Sequence, residues 1–80
     1  MANEPTQLQT AFGEHLRQFR HNTGLSQEQL ALDSGLDRTY ISLLERGLRQ
    51  PTLTTLFTLA SSLGIKPSSL VQSVEDELSR

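Results

Sequence analysis

Two short apolar runs of helical period, separated by a single Gly35-Leu36-Asp37 turn, constrain this chain more than any other feature. Ser26-Gln27-Glu28-Gln29 reads as a capping box. In it the Ser26 hydroxyl accepts from the third amide while Gln29 reaches back, and Leu30 and Ala31 follow as the buried face. A helix is expected over about residues 27–34. Gly35 permits a turn with positive φ, Leu36 is an apolar plug, and Asp37 is a strong N-cap. The next helix is expected over about residues 38–46, stopping at Gly47.

The rest of the chain keeps the same period. Phe12, Leu16 and Phe19 draw one apolar stripe that ends at Asn22-Thr23-Gly24, predicting a helix over about residues 8–22. Pro51 and Thr52 open a segment in which Leu53, Leu56, Leu59, Ala60 and Leu63 precede Gly64, predicting a helix over about 53–63. Pro67 suits a first helical position, and Leu70, Val71, Val74 and Leu78 share one sector of a helix over about 67–78. There is no repeat, no low-complexity tract and no alternation of period two. The expected fold class is all-α, with five helices in one unit spanning residues 1–80. So small a unit buries only about 60 to 65% of its unfolded surface, which makes self-association expected on size alone.

Composition narrows the function. With no cysteine, disulfide scaffolds, zinc ribbons and thiolate catalysis are excluded together. The N-terminal MANEPTQLQT has neither a positive nor an apolar leader region, and no stretch approaches the roughly 20 apolar residues of a membrane span, so a cytoplasmic protein without membrane contact is expected. His15 and His21 fall on opposed faces of the first helix, with no metal-ligand or nucleophile-base geometry. No catalytic residue, metal or cofactor is expected, and the chain is not read as an enzyme. Seven Lys+Arg against nine Asp+Glu give a net charge of -2, which weighs against nucleic-acid binding unless the charge is uneven. Arg17, Arg20, Arg38, Arg46 and Arg49 do lie in the first part of the chain, while Glu75, Asp76 and Glu77 form a late acidic run that reads as a solvated helix face.

The two short helices and their turn match a helix-turn-helix unit over residues 27–46, although that spacing describes an ordinary helical hairpin equally well. The wheel of the second of these helices favours the helix-turn-helix. Ile41 and Leu44 point inward, while Arg38, Thr39, Ser42, Leu43 and Arg46 gather on the other side. Arg pairs bidentately with guanine, Ser and Thr bond either kind of base edge, and Leu offers a contact for a thymine methyl. Leu43 equally suits packing under another helix, Tyr40 is either a core-edge ring or a phosphate donor, and Arg38 and Arg46 also fit as solvated charges. Amides at the starts of helices at Gln27 and Thr52 suit phosphate oxygens, and Arg49, Gln50 and Thr52 form a donor-rich loop beside them, or an ordinary polar connection.

Gly24-Leu25-Ser26-Gln27, Leu30-Ala31, Gly35, Ile41-Ser42, Leu44-Glu45-Arg46-Gly47, Pro51-Thr52 and Leu59-Ala60 to Leu63-Gly64-Ile65 resemble the lambda-repressor-like (Cro/cI-type, XRE) helix-turn-helix family over roughly residues 12–72. Leu36-Asp37-Arg38-Thr39-Tyr40-Ile41-Ser42 followed by Glu45-Arg46-Gly47 is similar to the controller proteins of restriction-modification systems. The resemblance implies that Gln27 meets a phosphate, that Arg38, Thr39, Ser42 and Leu43 face bases, and that residues 49–52 contact the backbone. It also implies a partly buried Arg20–Glu45 ion pair of structural role. Leu43, Leu48 and Gln50 depart from the family pattern, and Lys66 replaces the usual small polar cap before the last helix.

One recognition helix reads only a few base pairs, so a homodimer on a pseudo-palindromic operator in double-stranded DNA is expected, its two helices roughly 34 Å apart. Leu70, Val71, Val74 and Leu78 are assigned to the dimer interface; the alternative is that the chain's own core absorbs them. Such a dimer blocks RNA polymerase or recruits it, and the resemblance implies that it autoregulates its own promoter. The alternative reading is an antitoxin-type or phage-type repressor whose partner is a toxin or other protein.

Overall fold

The computed structural model describes residues 6–80, so the first five residues of the expected unit lie outside the described residues. Five helices follow in order: α1 (Gln7–Asn22), α2 (Gln27–Ser34), α3 (Arg38–Glu45), α4 (Leu53–Leu63) and α5 (Pro67–Leu78). No strand occurs among the described residues. Arg46, expected as the last residue of the third helix, instead caps it.

Local chemistry starts each helix. The Thr6 hydroxyl accepts from the Gln9 amide at 3.1 Å while the Gln9 side chain accepts from the Thr6 amide at 2.8 Å, so the reciprocal capping box stands at α1. At α2 only half of the expected box forms. Ser26 Oγ accepts from the Gln29 amide at 3.0 Å, but Gln29 Nε2 donates to Asp33 Oδ1, also at 3.0 Å. A carboxylate one turn on, on the same helix face, is a better partner for that side-chain amide than a reach back to the cap. Lys66 makes no side-chain cap bond, leaving Pro67 to start α5.

α1 packs on α3 and α5, α2 on α3 and α4, and α4 on α5, so the helices close into a ring. Leu16, Leu30, Ile41, Leu44, Leu59 and Leu70 fill its centre with no exposure, every helix contributing. Each such side chain contributes about 1.5–3 kcal/mol through burial.

Ring closure corrects the reading of the α5 stripe as one interface. Leu70 and Val74 are consumed by the chain's own core, whereas Val71 and Leu78 stay 48% and 43% exposed. Because α5 packs against both α1 and α4, half of its apolar sector points inward.

Candidate nucleic-acid interface

The junction between α2 and α3 is built by its three residues. Gly35 sits in the left-handed region at φ 72, a conformation that glycine adopts without steric cost. The Leu36 amide then returns to the Ala31 carbonyl at 3.0 Å, and its side chain packs against the core. Asp37 accepts from the Thr39 amide at 2.8 Å and so starts α3.

With Ile41 and Leu44 locked in the core, the rest of α3 is placed. Arg38, Thr39 and Arg46 are exposed, and Ser42 and Leu43 are half-buried, Leu43 lying outside the core cluster. Tyr40 packs its ring against the core, as a core-edge residue does, while its hydroxyl makes no hydrogen bond among the described residues. The structure thus brings the expected base-facing side chains onto one side of one short helix.

Two contacts aim that helix. Gly13, on α1, lies under the end of α3: a Cβ there would stand 2.5 Å from the Leu44 carbonyl oxygen and 2.6 Å from that of Glu45. The sequence reading missed it, although a lone glycine inside a helical stripe between Phe12 and Leu16 signals a close approach. The second contact is an ion pair. Arg20 donates from Nε to Glu45 Oε2 at 2.6 Å and from Nη2 to Oε1 at 2.9 Å, with both residues buried, and its Nη1 donates to the Leu25 carbonyl at 2.9 Å. Every buried side-chain polar atom among the described residues has a partner. Bidentate geometry and the extra donors offset the cost of removing both charges from water.

The Gln27 side chain also has a partner inside the fold. Its side chain donates to Glu45 Oε1 at 3.0 Å, which ties the start of α2 to the end of α3. No spacing rule reveals this bond, because its partner is brought near only by tertiary packing. Thr52 is likewise occupied: its hydroxyl accepts from the Thr55 amide at 3.1 Å, capping α4. The first amides of α2 and α4 remain, and these unpaired donors carry partial positive charge suited to phosphate oxygens. Arg49 and Gln50 are exposed beside them. Arg38, Arg46 and Arg49 make no ion pair among the described residues, leaving three free guanidinium groups around the α3 face.

This geometry has counterparts in known proteins. The Helix-turn-helix family model matches residues 16–70. Control protein C.SmaI of Serratia marcescens is 44% identical over 64 residues, spanning 80% of this chain and 76% of its own length. The crystal structure of the restriction-modification controller protein C.AhdI from Aeromonas hydrophila is 48% identical, with a TM-score of 0.75 over 76% of this chain and 92% of that one. The restriction-modification controller protein C.Esp1396I, solved as a tetramer in complex with its natural 35 base-pair operator, is 30% identical, with a TM-score of 0.83 over 96% of this chain and all of that one. The chain therefore belongs to the helix-turn-helix family, as a transcriptional regulator homologous to restriction-modification controller proteins.

Proposed function

We propose that this chain binds a pseudo-palindromic operator in double-stranded DNA as a homodimer and regulates transcription of a restriction-modification system, its own gene included. The observation that carries this reading is the exposed face of α3, where Arg38, Thr39 and Ser42 present donors on a helix whose other face is locked in the core. In the major groove Arg38 would meet guanine O6 and N7, Thr39 and Ser42 would meet base edges, and Leu43 a thymine methyl. The amides at the starts of α2 and α4, with Arg46, Arg49, Gln50 and the Tyr40 hydroxyl, would hold the phosphate backbone and set the register.

The homodimer surface is proposed on α4 and α5. Leu53, Phe57, Val71 and Leu78 are 70%, 56%, 48% and 43% exposed, and Leu53 and Val71 line one apolar groove with Leu8 and Pro51. A second copy would cover this face and set two α3 helices about one DNA turn apart. RNA polymerase is the proposed further partner, blocked or recruited according to operator position. The proposed working unit is the whole of residues 1–80, and the proposed compartment is the cytoplasm, where the DNA is.

Fluorescence anisotropy against a duplex from the gene's own upstream region, with a scrambled duplex beside it, tests the reading. A preference of at least about 10³ for the upstream duplex, of which Arg38→Ala removes roughly 1–3 kcal/mol, is expected. Equal, weak, purely salt-dependent binding to both duplexes overturns it.

A further inference from the structure

The helix-turn-helix unit lacks the basic excess that nucleic-acid binding ordinarily draws on. The unit and the loop after it carry the exposed Arg38, Arg46 and Arg49 together with three exposed carboxylates, Glu28, Asp33 and Asp37, while a fourth, Glu45, is neutralised by Arg20. The uneven charge of the chain as a whole therefore does not extend to the surface that matters.

Two of these carboxylates have evident work within the fold. Asp37 caps α3 through the Thr39 amide, and Asp33 accepts from Gln29. Glu28 makes no hydrogen bond and no ion pair among the described residues, yet it sits in the first turn of α2, beside the amides offered to a phosphate. In that turn a carboxylate gains modestly from the helix dipole. The same negative charge also stands beside the amides that the DNA-binding reading offers to a phosphate. Salt-dependent neutralisation of phosphates supplies the sequence-independent part of DNA affinity, and a carboxylate there opposes it.

We infer that Glu28 sets the affinity of this regulator by repulsion. Its carboxylate weakens the complex with DNA of any sequence by the same factor. The inference rests on the DNA-binding reading above and adds to it a residue that tunes strength without reading bases.

The experiment compares wild type, Glu28→Gln, Glu28→Lys and Asp76→Asn on upstream and scrambled duplexes long enough for one dimer, at low and high salt. Asp76 lies on α5, which packs on α1 and α4, so Asp76→Asn changes net charge by the same amount as Glu28→Gln but away from the recognition unit. Glu28→Gln is expected to tighten binding to both duplexes by about threefold to tenfold, with Glu28→Lys going further, the gain shrinking as salt is raised and Asp76→Asn changing nothing. Unchanged affinity in both Glu28 variants, with helicity by circular dichroism retained, overturns the inference. So does a change confined to the upstream duplex, which would make Glu28 a base-reading or partner-contacting residue, and so does an equal gain in Asp76→Asn. Wild type binding both duplexes alike overturns the operator reading instead, and Glu28 is then judged on either duplex.

Discussion

α3 and α5 are both short amphipathic helices with an apolar sector and a polar remainder, yet the ring treats them differently. In α3 the inward pair Ile41 and Leu44 is buried and the opposite face is left to solvent. In α5 the single sector is divided, with Leu70 and Val74 taken into the core and Val71 and Leu78 left outside. The difference lies in what each helix packs against. α3 rests on α1 and α2, whereas α5 closes the ring between α1 and α4. An apolar stripe therefore tells that a helix has something to bury, and only its neighbours decide how much of it they cover.

The comparison is most easily broken at the anchor of α3. Glu45→Ala leaves Arg20 buried and uncompensated, and about 3–5 kcal/mol of stability should be lost in chemical denaturation. A loss below about 1 kcal/mol would mean that the ion pair does not hold α3 in place.

The division of α5 is tested by neighbouring residues. Leu70→Ala should cost about 2–5 kcal/mol, and Val71→Ser less than about 1 kcal/mol in the dissociated chain. Sedimentation should show the reverse order of interest, with Val71→Ser weakening self-association while helicity is retained. Equal destabilisation by the two variants would sink the division.

Gly13→Ala sharpens the picture from the α1 side. Its added Cβ meets backbone oxygens, which cannot swing aside as a side chain can, so about 1–3 kcal/mol should be lost and thermal melting should fall accordingly. An unchanged melting temperature would show that α1 and α3 have room to separate. The smallest effect is expected at Lys66→Ser, where supplying the missing cap to α5 should add about 0.5–1 kcal/mol and leave DNA affinity unchanged.

Much of this was legible in the residues. Ser26, Asp37 and Thr52 cap their helices, and Gly35, Gly47 and Gly64 end them, because caps and left-handed turns answer to side-chain chemistry within a few positions. The inward placement of Ile41 and Leu44 follows from period alone. Contacts between distant segments were not legible. The Gln27 bond to Glu45 joins residues of two helices, and Gly13 matters only because α3 ends against it.

The sequence by itself determined the five helices, their order and the polar face of α3, since each depends on interactions local in the chain. The tertiary structure alone decided which half of the α5 stripe stays exposed and which polar side chains are spent internally. Burial and hydrogen-bond partners there are set by helices that meet only when the ring closes, a geometry that no local pattern encodes.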